Sequence, residues 1–263
     1  MAQDQARPEN AVPPSWRTPP QPIPQSPLPK VSGTVRIAAA ADLQPVLPAL
    51  ATEFEKATGA KVVISFASSS TLATQIVNGG PFDLFLAADF TFPELVVARG
   101  FADSKGPIPY ANGSLVLWAR KDSPMQPVSM NTLSNPALKS LAIADQAHAP
   151  YGRAAYAALA QLKLLSALSP RLVIAENIAQ TAQFAESGNA QAALISLTLA
   201  KSDHFRDLGS FVLVPKYLYP SIRQCAVVMK ASPNPAAAHA FLQFLMSAKV
   251  QKQLADKGLD PPQ

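Results

Sequence analysis

From Val31 onward the chain repeats one local pattern: a short apolar run ends in small or hydroxyl residues and passes at once into a helical periodicity. Val35 to Ala41 reads as a strand leading into a helix from Leu43 to Thr58, closed by Gly59. Lys61 to Phe66 leads into a helix from Leu72 to Asn78, ended by Gly79 and Gly80. Asp83 to Ala88 leads into a helix from Phe92 to Arg99, ended by Gly100. Glycine just past the last periodic residue adopts the left-handed conformation that stops a helix. Pro45 fits a first helical turn, but Pro48 lacks a ladder N–H, so an irregular start is expected there. Strands alternating with helices through short turns specify βαβ units and a mostly parallel sheet. Ligands of such sheets bind beyond the carboxyl ends of the strands. Asp42 and Ser68 to Ser70 lie at two such ends.

The middle of the chain repeats the pattern and predicts a second lobe. Strands are expected at Leu115 to Ala119, Leu141 to Ala144, Leu172 to Ile174 and Ala192 to Ile195. An Ala-rich helix running to Leu165 and another from Ala179 to Glu186 follow two of them. The chain returns through Ala226 to Met229 and closes with a helix from Ala236 to Lys257. One lobe inserted between the halves of another, joined by two crossing strands, makes a hinged clamp. The expected division is residues 31–112 with 225–263 for the first lobe and 113–224 for the second. Residues 1–30 are crowded with proline and lack apolar periodicity, so a disordered linker is expected there. That segment has no apolar centre, so it is not read as a signal peptide.

The run Phe66 to Ile76 carries the sharpest chemical signal. Ser68, Ser69, Ser70 and Thr71 stand together where a strand gives way to a helix. A helix start presents unpaired N–H groups and the positive end of the helix dipole, which together favour an anion. A helix cap needs one hydroxyl and leaves the others to be explained.

Composition narrows the classes further. A chain of 263 residues that is 48% hydrophobic suits two lobes or one large domain, and no stretch is long and apolar enough to span a bilayer. Charged residues are 15% of the chain and the net charge of +5 is spread without a Lys/Arg run, which argues against a nucleic-acid surface. Cys225 is the sole cysteine, which excludes an intrachain disulfide and a cysteine-based zinc site. Its apolar surroundings predict a buried, inert thiol. His148, His204 and His239 lack metal-ligand spacing, so no cation site and no cofactor are expected.

Several motifs taken together are similar to those of one family. Ala38-Ala39-Ala40-Ala41-Asp42-Leu43, Phe66 to Ala73, Phe82 to Asp89 and Asn112 to Val116 resemble the substrate-binding protein of molybdate ABC importers. Ala149-Pro150-Tyr151-Gly152, Ala175-Glu176-Asn177-Ile178 and the terminal helix continue the resemblance over about residues 33–260. It implies an α/β, two-lobed periplasmic-binding-protein fold of type II-like form, each lobe a mixed sheet flanked by helices. It implies a periplasmic, monomeric binding protein rather than an enzyme, with molybdate or tungstate as ligand and a membrane permease as partner. In this family two hydroxyl side chains, backbone N–H groups of the second lobe and a tyrosine hydroxyl hold the anion. Carried over by position, Ser69 is a hydroxyl ligand and Tyr151 and Ile178 supply backbone N–H groups. An all-donor shell suits an ion that only accepts hydrogen bonds.

Two positions depart from the family pattern. Asp42 stands at the first hydroxyl position and Ser196 at the tyrosine position. A carboxylate beside a dianion costs on the order of a few kcal/mol at an effective dielectric near 20. Asp42 is expected foremost to turn away and cap the helix at Leu43. Otherwise it is protonated by burial, or it accepts a hydrogen bond from a protonated oxyanion such as phosphate or arsenate. The missing tyrosine hydroxyl is replaced by Ser196, Thr198 or water, with Tyr151 a further hydroxyl. Two readings compete: a cationic or neutral organic ligand held by Asp42, and an esterase-like centre with Ser69 as nucleophile, His148 as base and Asp145 as orienter.

Overall fold

The computed structural model describes residues 28–262, so most of the proline-rich segment lies outside the described residues. Its last residues lie against the protein: Leu28 packs on a core cluster and Lys30 Nζ donates to the Ala57 carbonyl at 3.1 Å. The strands are β1 (Thr34–Ala40), β2 (Lys61–Ala67), β3 (Leu84–Ala87), β4 (Ile108–Gly113) and β5 (Leu115–Arg120). They continue as β6 (Leu141–Ala144), β7 (Leu172–Ala175), β8 (Ala192–Ser196), β9 (Gly209–Leu213) and β10 (Ile222–Val228). The helices are α1 (Leu47–Thr58), α2 (Ser69–Val77), α3 (Thr91–Ala98), α4 (Pro150–Gln161) and α5 (Leu165–Leu168). They continue as α6 (Ile178–Glu186), α7 (Leu197–Ala200), α8 (Asp203–Leu208), α9 (Pro235–Leu245) and α10 (Ala248–Asp256).

The strands form two five-stranded sheets, ordered β2-β1-β3-β10-β4 and β7-β6-β8-β5-β9. In the first, β1 runs parallel to β2 and β3, while β10 is antiparallel to β3 and β4. In the second, β6 is parallel to β7 and β8, while β5 is antiparallel to β8 and β9. The parallel pairs are the βαβ units expected from the sequence. The antiparallel pairs arise where the chain crosses between sheets, between β4 and β5 and again between β9 and β10. At the first crossing, Gly113 pairs with Ile222 and Asn112 with Arg223, so the two crossing segments lie side by side. β10 straddles the boundary expected at residue 225, since it belongs to the first sheet from Ile222.

Most elements fall where the pattern placed them, and the exceptions have local causes. The irregular start expected near Pro48 is a short 3-10 turn, Ala41–Leu43, before α1 begins at Leu47. The single terminal helix expected from Ala236 to Lys257 is two helices, because the Ser247 side chain accepts from the Val250 N–H and caps α10. β4 and β9 carry no clear alternation and both lie at sheet edges, where Pro109 is tolerated because no ladder N–H is needed on that side.

Each sheet has its own core. Leu47, Leu50 and Phe54 of α1 pack with α9, the Phe54 and Phe241 rings meeting edge to face at 5.0 Å. In the second unit Trp118 packs edge to face on Phe205 at 5.3 Å and donates to the Phe205 carbonyl. Cys225 is fully buried and burial pushes its thiol up to about 12, so it stays protonated and inert. No helix among the described residues is long and apolar enough to cross a membrane. Phe54 fills the centre of the first core, so Phe54→Ala should lower unfolding free energy by about 3–5 kcal/mol in urea denaturation.

Candidate functional site

Three helices begin at one small chamber between the sheets. Its walls are Ala40, Ala41 and Asp42 after β1, Ala67 to Ser69 at the start of α2, and Ala88 after β3. From the other sheet come Ala149 to Tyr151 at the start of α4 and Asn177 with Ile178 at the start of α6. The chamber holds about 10 Å³ and no lysine or arginine lines it. Each wall segment is a strand end or a helix start, so the N-terminal ends of α2, α4 and α6 converge there. Their aligned peptide dipoles make the space electropositive without a formal charge.

Side-chain caps divide the work at the starts of α2 and α6, while α4 has none. In the hydroxyl run, Ser68 is the cap: its Oγ accepts from the Thr71 N–H at 3.1 Å and shares a 2.8 Å hydrogen bond with Thr71 Oγ1. The Ser70 N–H donates to the His148 carbonyl across the cleft at 3.2 Å. Ser69 is left with a different task. Its Oγ accepts from the Ala88 N–H at 3.1 Å, which leaves its own proton to be donated, and it lines the chamber. At α6, Asn177 Oδ1 accepts from Ala179 and Gln180 N–H groups at 3.0 Å each. The N–H groups of Ser69, Tyr151 and Ile178 have no protein partner among the described residues. They sit in first turns, where no intrahelical acceptor exists.

Asp42 does not cap the following helix. It lies inside the 3-10 turn, its side chain is fully buried, and its partners come from distant parts of the chain. Tyr151 Oη donates to Oδ2 at 3.1 Å, and Gln224 Nε2 donates to the same oxygen. Tyr110 Oη donates to Gln224 Oε1 at 2.6 Å, on the amide whose N–H₂ is turned toward Asp42. Oδ1 is buried with no hydrogen-bond partner among the described residues. Burial pushes the Asp42 carboxyl up to about 7, against the lowering effect of the bonds from Gln224 and Tyr151. Both phenols lie well above their usual range, through burial first and the neighbouring Asp42 charge second. The capping expectation fails because the Pro45 and Pro48 region delays α1 to Leu47, leaving no helix start within reach of Asp42.

Ser196 is also placed differently from the expectation. It is not among the chamber walls; its Oγ caps α7 by accepting from the Leu199 N–H and bonds Thr198 Oγ1 at 2.8 Å. Thr198 Oγ1 then donates to the Asp42 carbonyl at 2.7 Å. Ser196 therefore braces the turn that carries Asp42 rather than facing the chamber. A further polar link across the cleft joins Arg153 of α4 to Asp89, with the Arg153 guanidinium 5.3 Å from the Phe92 ring centre. Burial raises the Asp89 carboxyl, against the attraction of Arg153.

The model of the bacterial extracellular solute-binding protein family matches residues 35–260. The chain belongs to this family. It is 37% identical to the molybdate-binding protein ModA of Azotobacter vinelandii, over 85% of this chain and 88% of that protein. It is 35% identical to ModA of Rhodobacter capsulatus, over 83% of this chain and 84% of that protein. The solved periplasmic molybdate-binding protein of Azotobacter vinelandii superposes with a TM-score of 0.82 at 32% identity, covering 87% of this chain and all of that one. The two-lobed solute-binding fold expected from the sequence is the fold of this chain.

The esterase-like reading has no geometry behind it. Ser69 is buried with its oxygen held by Ala88, while the His148 ring is half exposed and pairs with Asp145 at 3.1 Å. No hydrogen bond joins Ser69 to His148 among the described residues. His204 and His239 form exposed pairs with Glu186 and Asp103, and no group of metal-ligating side chains occurs among the described residues. Gln224 and Tyr110 were missed by sequence reasoning. The available signal was Gln224 itself, a polar residue inside the apolar strand Ile222–Val228, where a buried amide needs a polar partner.

The buried carboxyl makes stability depend on pH with a definite sign. A folded-state pKa raised above the unfolded value leaves the fold unpenalised below about pH 4 and progressively destabilised as pH rises to about 7. Asp42→Asn should therefore raise the thermal unfolding midpoint relative to the parent protein at about pH 8, with the difference shrinking toward pH 4. Melting curves at the two pH values check this.

Proposed function

We propose that this chain is the periplasmic solute-binding protein of an ABC importer and that it captures molybdate, with tungstate as an equivalent ligand. The observation that carries the reading is the convergence of α2, α4 and α6 on one chamber, where Ser69 offers a hydroxyl proton and no cation stands by. Such a shell is made of neutral donors. It suits an ion that accepts hydrogen bonds on every oxygen and offsets the charge without a counter-ion that would have to be desolvated as well.

In this reading the Ser69 hydroxyl and the N–H groups of Ser69, Tyr151 and Ile178 hold the anion, and Asp42 closes one side. Ser196 acts through Thr198 on the Asp42 turn and does not touch the ligand. The lobes are residues 31–112 with the strand β10 and α9–α10, and the segment from Ser114 to the end of β9. They close about the paired crossing segments at Gly113 and Ile222. The protein acts as a monomer, performs no chemistry on its ligand, and in its closed form docks on a membrane permease. Sulfate has the same charge and shape as molybdate, so discrimination falls to the size of the chamber.

Titration calorimetry with molybdate, tungstate, sulfate and phosphate tests the assignment. Tight, sub-micromolar binding of the first two with no response to sulfate is the expected result. Binding of phosphate alone would mean that the fold serves another oxyanion. Ser69→Ala should weaken molybdate binding by about 1–3 kcal/mol, the usual loss of one charge-assisted hydrogen bond.

A further inference from the structure

The carboxyl of Asp42 sits where an anion shell needs a donor. Both donors that reach it, Tyr151 Oη and Gln224 Nε2, converge on Oδ2, and Tyr110 Oη donates to the oxygen of the same amide. Oδ2 is thus occupied as an acceptor twice. The oxygen these donors leave open is Oδ1, which is buried with no partner among the described residues, on a residue that lines the chamber. An ionised Oδ1 would face the bound dianion lone pair to lone pair. A protonated one supplies the O–H that a hydroxyl residue would otherwise supply at this position.

We propose that Asp42 meets the captured oxyanion as a neutral carboxylic acid with its proton on Oδ1, so that capture of the dianion takes up one proton from solution. The inference rests on the oxyanion reading above and adds its regulation by pH. Among the described residues no element packed against the carboxyl brings a cation to it, and the two donors to Oδ2 are neutral groups. The 3-10 turn contributes no cation, α4 presents Tyr151, β10 presents Gln224, and β4 presents Tyr110 behind Gln224. From α7, Thr198 reaches only the backbone carbonyl of Asp42, and α6 brings Ile178 to the chamber. The Arg153 guanidinium is engaged by Asp89 and the wall of the chamber is free of it. Burial already pushes the carboxyl up to about 7, and an adjacent dianion raises it further. The sign follows from linkage. Between the carboxyl's pKa in the open protein and its higher value in the complex, affinity falls as pH rises, by up to about tenfold per pH unit for one proton.

The test is titration calorimetry of the intact chain with sodium molybdate from about pH 6 to about pH 9, in pairs of buffers with unlike protonation enthalpies. Expected for the parent protein is an affinity that falls toward higher pH, with uptake approaching one proton per molybdate. Asp42→Asn should bind with an affinity that does not change with pH and with uptake near zero. Tyr151→Phe removes one donor from Oδ2, destabilises the carboxylate, and should move the fall in affinity to higher pH. Should the asparagine variant fail to fold or bind, this shift decides the matter: its presence supports the proposal and its absence overturns it. Molybdate heat with a flat pH profile and no proton uptake in the parent overturns the proposal and leaves the oxyanion reading intact. Uptake that persists in Asp42→Asn assigns the proton to another group, with His148 at the cleft edge the first to examine, and overturns it as well. No molybdate heat at any pH overturns both.

Discussion

A carboxyl group buried between two lobes without a counter-charge sets the terms for the structure around it. Asp42 is tied to α4 through Tyr151, to the crossing strand through Gln224, and at its backbone to α7 through Thr198. These bonds join the end of β1 to three elements that lie far away in the chain. An isolated carboxylate in such a place costs several kcal/mol, so its neighbours must either stabilise the charge or let it become neutral. They do some of each: two donors serve one oxygen, and burial raises the carboxyl toward neutral pH.

The same economy of charge runs through the chamber. In the proposed reading anion attraction comes from the beginnings of α2, α4 and α6, where hydroxyl and amide caps consume some first-turn N–H groups while leaving others. Ser68 and Asn177 cap; Ser69, Tyr151 and Ile178 remain to face the chamber. Neutral donors fixed by helices are already oriented before a ligand arrives, so little reorganisation opposes binding. Close packing at the crossing supports this arrangement. A β-carbon on Gly113 would meet the Tyr151 hydroxyl at 2.2 Å, so only glycine lets that hydroxyl reach Asp42 beside the paired crossing segments.

Contacts across the cleft differ in kind from those within each lobe. Each sheet is sealed by apolar packing, Phe54 with Phe241 in one and Trp118 with Phe205 in the other. Between the lobes the apolar contact comes from the small residues Ala40, Ala41 and Ala88, and the directed links are polar: Arg153 with Asp89, the Ser70 N–H with the His148 carbonyl, and the bonds to Asp42. Polar links exchange for water more readily than apolar cores open, which is what the proposed closure about the crossing segments requires.

The sequence by itself determined the order of strands and helices, the two-lobed α/β class, and the placement of hydroxyl residues where anion-binding helix starts would be. These are local properties, carried by apolar periodicity, glycine stops and capping residues within a few positions of one another. Ser69, Tyr151 and Ile178 were legible for that reason, since each stands at the beginning of a helix that the pattern already announces. Only the tertiary structure decided what Asp42 does, why Gln224 and Tyr110 matter, and that Ser196 supports a turn instead of lining the chamber. Tyr151 lies 109 residues from Asp42 and Gln224 lies 182 residues from it. No local pattern encodes such a meeting, because it depends on how two sheets and their crossing strands are set against each other in space.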